Sequence, residues 1–274
     1  MLGKLLKHEF RATGRTMLPM LAVLTALVLL ANLSVRLLDA ELGAFLEILL
    51  ILIVFLTFIA VIVAEIMPVV VMVQRFYRNL LANEGYLMHT LPANVHELVW
   101  SKLIVSTVWL LGTNLVIFLL GGLSVIHLGR LNIGEILQAL PSWTQIMDGL
   151  AQVGISGGDV TLLLVEMALS VVLVQLAACL HFYAAMALGH MFTSHKGLLS
   201  VVFFVALSYL FSALTSALGV AQVPYLESLE FDTFRQSIQV VQAMLGEGIG
   251  VTLLQGAVFY IATVLGLKKG LNLA

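Results

Sequence analysis

Glu65 and Glu166 stand inside runs of the chain that otherwise hold almost only apolar side chains. A carboxylate at membrane depth is costly unless it faces a bundle interior, a partner or water. Each is therefore a candidate for lining a translocation path or for carrying a proton or sodium ion. A structural hydrogen bond, a protonated acid or closeness to the membrane interface is the plain alternative for both. His96-Glu97-Leu98-Val99-Trp100 falls one ligand short of H-E-x-x-H, since Trp100 occupies the place of the second histidine. His8-Glu9 fails likewise, with Ala12 at the needed position. The spacings of His181, His190 and His195 do not put them on one helical face, so no metal is expected. No G-x-x-x-x-G-K-[ST] occurs, so the chain has no phosphate-binding loop of its own, and no nucleophile–base pair marks it as an enzyme.

These groups must be positioned by an unusually apolar chain. Of 274 residues 61 % are hydrophobic and 10 % charged, and the mean hydropathy is +1.09, against a charged share of about 25 % in soluble domains. With five prolines, disorder is not expected; the net charge of −2 is uninformative as a total, and no nucleic-acid partner is expected. The single cysteine, Cys179, lies in an apolar run and reads as a small core residue.

An all-α polytopic membrane protein follows, a single transmembrane domain over 1–274. Residues 2–12 place Leu2, Leu5, Leu6 and Phe10 on one face and Lys4, Lys7, His8 and Arg11 elsewhere, the pattern of an amphipathic helix lying in the membrane interface. The apolar run after it is too long for the core of a signal peptide. Six spans are predicted at 17–38, 46–73, 98–128, 160–188, 198–218 and 249–267, each fit for a hydrocarbon layer of about 30 Å. Pro68 is expected to kink the second, and Gly112, Gly121 and Gly122 to serve as close-packing points in the third. Asn32, Asn114 and Gln175 read as hydrogen-bonding glue between helices. Ser208, Ser212 and Ser216 repeat every four residues and suggest a packing face, of which a dimer seam is one form.

Orientation follows from the basic residues. With the N-terminus inside, Lys4, Lys7, Arg11, Arg15, Arg75, Arg78, Lys102, Lys196, Lys268 and Lys269 fall on the inner side, and Arg36, Arg130 and Arg235 on the outer. Both termini are thus expected in the cytosol. The outer loops 129–159 and 219–248 carry apolar residues at helical spacing (Ile133 to Leu150, interrupted by Pro141, and Phe234 to Leu245), so short helices capping the bundle are predicted there. Asp159 is expected to cap the fourth span.

The longest polar interval expected inside is Gln74 to Lys102, with the loop proper at 74–97. Glu84-Gly85 supplies a helix stop, and Pro92 fixes the angle of entry into the third span, which Asn94 can cap. Phe76, Tyr77, Leu80, Leu81, Tyr86 and Leu87 are apolar anchors beside Arg75 and Arg78. Aromatic anchors with arginine alongside suit a protein interface; seating the loop at lipid headgroups is the simpler reading.

Asn83-Glu84-Gly85-Tyr86-Leu87, then Thr90-Leu91-Pro92, Glu97-Leu98 and Ser101-Lys102-Leu103, resembles the cytosolic loop of type-2 ABC transporter permeases, in which a Gly-Tyr-Leu…Leu-Pro…Ser-Lys-Leu pattern joins the second and third helices. The layout of basic N-terminal helix, six spans and no ATPase is also similar, and covers nearly the whole chain. Ala93-Asn94 departs from the Val-Ser that often follows the proline. Ser156-Gly157-Gly158-Asp159 faintly resembles an ABC ATPase signature, but it precedes a span and reads as a turn. What the resemblance implies is the membrane half of an exporter. It would be a dimer, with a second copy or a paralogue, embedded in lipid of the cell membrane. Separate ATP-binding subunits holding ATP and Mg would dock on a coupling helix within about 75–86. The docking residues would be Arg75, Phe76, Tyr77, Arg78, Leu80, Leu81, Glu84, Gly85, Tyr86, Leu91 and Pro92. With few fixed charges in the spans, the cargo would be hydrophobic or amphipathic. Alternatives are an ion-coupled secondary transporter using Glu65 and Glu166, an intramembrane protease, and a non-transporting sensor or immunity protein on the same scaffold.

Overall fold

The computed structural model describes residues 2–38, 43–82, 94–129, 134, 138, 141–192, 194–227 and 234–270. Among them there is helix and no strand. The elements are α1 (Leu2–Leu38), α2 (Ala44–Phe76) running into a π-helical turn (Tyr77–Leu81), α3 (Val95–Leu128), α4 (Trp143–Gln152), α5 (Gly157–Gly189), α6 (Lys196–Glu227) and α7 (Phe234–Gly270). Six of these are long and apolar enough to cross a membrane, as hydropathy predicts. By its contacts the chain divides into two units, 1–75 with 104–140, and 76–103 with 141–274.

In the first unit α1 buries a stripe at helical spacing, Glu9, Thr13, Met17, Leu24, Val28 and Asn32. Leu24 and Val28 pack with Ala64 of α2, and Ile117 and Leu120 of α3 close the cluster. Four polar links fix direction. Thr57 of α2 donates to the Leu27 carbonyl at 3.1 Å, and Arg75 reaches Glu9, so α2 runs antiparallel to α1. Trp109 Nε1 donates to Thr13 at 2.7 Å and Asn32 to Ser124 at 3.0 Å, so α3 runs parallel to it.

The expected break between an interfacial helix at 2–12 and a span from 17 is absent, since α1 is continuous. Nothing in Ala12-Thr13-Gly14-Arg15-Thr16 stops a helix. A lone interior glycine costs only about 1 kcal/mol, and Gly14 lies against the Trp109 indole. At about 1.5 Å per residue α1 is roughly 55 Å long and overreaches any hydrocarbon layer.

In the second unit α5 is the central helix. Gln242 of α7 donates to the Asp159 carbonyl at 2.9 Å, and Gly256 and Gly266 of α7 meet Leu180 and Ala187, so α5 and α7 run parallel. Gly189 sits on Ser200 of α6, and His181 is stacked on Phe204 at 4.3 Å, so α6 runs antiparallel to α5. Cys179, Tyr183 and Phe259 are fully buried between them.

The structure departs from the sequence expectations at three further places. Asp159 does not cap α5; Ser156 does, accepting the Asp159 N–H while the Asp159 carboxylate accepts from Ser156, a reciprocal capping box. Ser142 and Gln145 repeat the device at α4. The segment from Phe234 is no separate outer helix, because α7 continues through Gly246, Gly248 and Gly250 into the last span. Gly112, Gly121 and Gly122 are not close-packing points, since a Cβ on any of them would meet nothing within 4 Å. The close approaches are at Gly189 and Gly266.

Candidate partner-docking surface

The interval Gln74 to Lys102 leaves α2 as a wider coil. The Ala82 N–H reaches back five residues to the Tyr77 carbonyl at 2.9 Å, and the extended Ala82 ends the turn. A bond of this reach is a common way for a helix to end, and it sets which side chains of the last turn face inward. Here Phe76 and Leu80, one turn apart, are fully buried, and Phe76 stacks on Tyr183 of α5 with ring centres 4.0 Å apart. Tyr77 and Arg78 face outward, Tyr77 being 44 % exposed, and Leu81 is half-buried. Phe76 and Leu80 therefore tie the turn to its own unit, and the outward aromatic and cation are Tyr77 and Arg78.

Tyr77 rests edge-on against His190 at 5.3 Å. His190 closes α5, its Nδ1 donating to the Met186 carbonyl at 2.9 Å. Burial holds its pKa below the ordinary histidine value; that hydrogen bond opposes the shift, and the nearby Lys196 charge adds to it. The ring under Tyr77 is thus neutral near pH 7. His195 begins the return into α6 at φ +54°, its carbonyl accepting the Leu199 N–H.

On the far side of the interval α3 starts at Val95, with the Asn94 N–H held by the Glu97 carboxylate at 3.2 Å. Leu98, Val99, Ser101, Lys102 and Leu103 are all buried, so the Ser-Lys-Leu stretch seats α3 rather than offering a surface. His96 and Trp100 remain outside, both against Tyr260, with His96 Nδ1 and the phenol oxygen 2.7 Å apart. Of the interval, Gln74 and Arg75 belong to the first unit and Phe76 to Lys102 to the second.

The remaining expected residues are dispersed. Glu84, Gly85, Tyr86, Leu91 and Pro92 lie outside the described residues. Arg75 belongs to the first unit and forms a 2.9 Å ion pair with Glu9. Glu65, in the same unit, is exposed on α2 amid exposed Ile62, Val63 and Ile66. Glu166, in the second unit, is half-buried, and its Oε2 is buried with no hydrogen-bond partner among the described residues. Ser208 is drawn inward, bonded to the Phe204 carbonyl and to His181, whereas Ser212 and Ser216 are exposed. The three serines thus do not form one packed face within the chain. Among the described residues no three His, Cys, Asp or Glu side chains converge as a metal site would require.

Glu9 is the polar residue that sequence reasoning passed over. It is 6 % exposed beneath a helix read as interfacial. Its place in the ladder Glu9, Thr13, Met17 at intervals of four was the available signal. Replacing Glu9 by Gln should destabilise the first unit by about 1–2 kcal/mol, Arg75 being partly open to solvent. A double-mutant cycle with Arg75→Gln, followed by unfolding in detergent, should give a coupling of about 1 kcal/mol. Simple additivity would show the pair to be unimportant.

Set against protein-family models, curated proteins and solved structures, the chain matches none of them.

Proposed function

We propose that the chain is the permease subunit of an ATP-driven ABC exporter. It spans the cell membrane six times with both termini in the cytosol, forms the translocation pathway as a dimer, and docks separate ATP-binding subunits through 74–97. The observation that carries this reading is the π turn, whose underside, Phe76 and Leu80, is locked into the second unit while Tyr77 and Arg78 face out. A short helical element with a fixed base and an aromatic–arginine outer face suits a partner that must both grip and push. From Phe76 to its end the segment belongs to one unit, so force applied to the turn enters that packed body. The exposed Glu65 carboxylate among apolar neighbours supports a second copy covering that face, since a carboxylate facing lipid is costly. The cargo on this reading is hydrophobic or amphipathic.

Purification of the tagged chain from its own membranes in mild detergent, with photolabelling by 8-azido-ATP, tests the division of labour. Label and Mg-dependent hydrolysis are expected on a separate, co-purifying polypeptide and not on this chain. Absence of any nucleotide-binding partner contradicts the proposal. A second reading, an ion-coupled transporter, draws on the Glu166 oxygen that has no hydrogen-bond partner among the described residues. It requires uptake that follows an ion gradient after ATP depletion and is lost in Glu166→Gln.

A further inference from the structure

The first unit contains a cavity of about 250 Å³ bounded by α1, α2 and α3. Its wall is largely aliphatic, with Leu24, Val28 and Ile117 among the lining side chains, and no charged residue reaches it. Three polar side chains do: Asn32, Thr57 and Ser124. Two of them have their protons committed. Thr57 donates to the Ile53 carbonyl at 2.9 Å and to the Leu27 carbonyl at 3.1 Å. Ser124 donates to the Leu120 carbonyl at 2.9 Å while accepting from Asn32 Nδ2 at 3.0 Å.

Asn32 differs. Its carboxamide offers two N–H donors and an acceptor oxygen, and among the described residues a single N–H is used, toward Ser124. The side chain is only 6 % exposed and is turned to the cavity. Both helices that hold this hydrogen bond are long and apolar enough to span a membrane. An amide held in such surroundings with unused hydrogen-bonding capacity is poorly satisfied until something else supplies the missing partner. An apolar pocket with a few convergent polar groups is the usual form of a small-molecule site.

We infer that this cavity binds an uncharged amphiphile, its hydrocarbon body against the aliphatic wall and a single hydroxyl or amide on the Asn32 carboxamide. A charged headgroup is disfavoured because the wall provides no counter-charge to offset its desolvation. The site needs no ATP-binding partner, so it stands or falls separately from the docking proposal. Gly121 offers a way to close it. It lines the cavity, and a Cβ there would meet nothing within 4 Å, so a larger side chain can be placed at the cavity wall without displacing a neighbour.

The test uses the whole chain in lipid nanodiscs and a diazirine-bearing hexadecanol with an alkyne tag, with labelled peptides mapped by mass spectrometry. Saturable labelling of α1 and α3 peptides is expected, displaced by hexadecanol but not by hexadecanoate or hexadecyltrimethylammonium. Asn32→Leu should weaken the probe by about tenfold, the effect of one buried hydrogen bond, and Gly121→Leu should abolish saturable labelling. Melting and gel filtration of each variant report folding, and Gly121→Leu alone decides the matter if Asn32→Leu does not fold. Labelling that never saturates, that both variants leave unchanged, or that the charged competitors displace equally well, overturns the inference and leaves only lipid around the helices.

Discussion

Gly189→Ala should destabilise the second unit more than any other glycine-to-alanine change in the described helices. A Cβ there would lie 2.5 Å from the Ser200 backbone nitrogen and 2.7 Å from its Cα. Backbone cannot swing aside as a long side chain can, so α5 and α6 must part where they turn back on each other. Gly266→Ala should be the next most damaging, its Cβ falling 2.9 Å from the Ala187 Cβ and 3.0 Å from the Ala187 carbonyl carbon. Forced overpacking of this kind costs about 1–3 kcal/mol, sometimes more, and Gly189 belongs at the upper end because the clash is with main chain. Gly112→Ala and Gly122→Ala meet open space and should stay within about 0.5 kcal/mol of the parent. Thermal unfolding in detergent, followed by loss of the monodisperse gel-filtration peak, ranks the variants. A Gly189 variant as stable as the Gly112 variant would mean that α5 and α6 do not approach as described.

That contrast shows where sequence reasoning ran out. Hydropathy located the six long helices well: the third was expected over 98–128 and forms over Val95–Leu128, the fourth over 160–188 and forms over Gly157–Gly189. The same signal cut α1 and α7 short, because a helix that continues beyond an apolar layer turns polar without ceasing to be a helix. Which glycines permit close contact was not legible, since Gly112 and Gly189 differ only in what stands opposite them. In the docking segment the aromatic and arginine content could be read, but not which way each side chain turns. Phe76 and Leu80 go inward because Tyr183 provides a flat apolar partner, a contact across more than a hundred residues of chain. Glu9 was missed for a similar reason, its partner Arg75 lying at the other end of α2.

The second large effect is expected on ATP turnover. Tyr77→Ala with Arg78→Glu changes two outward side chains of the π turn and leaves buried Phe76 and Leu80 in place, so the fold should hold and the docking face should not. Interface anchors of this type are each worth about 2 kcal/mol or more, so the pair together should lower the apparent affinity for an ATP-binding subunit by at least about a hundredfold.

The most direct test is to purify the chain and its Tyr77→Ala/Arg78→Glu variant side by side from the native membrane, and to measure the Mg-dependent ATPase activity that remains with each. The docking account predicts activity on a separate polypeptide with the parent chain and its near-complete loss with a folded variant. Equal activity with both, or none with either, would contradict it.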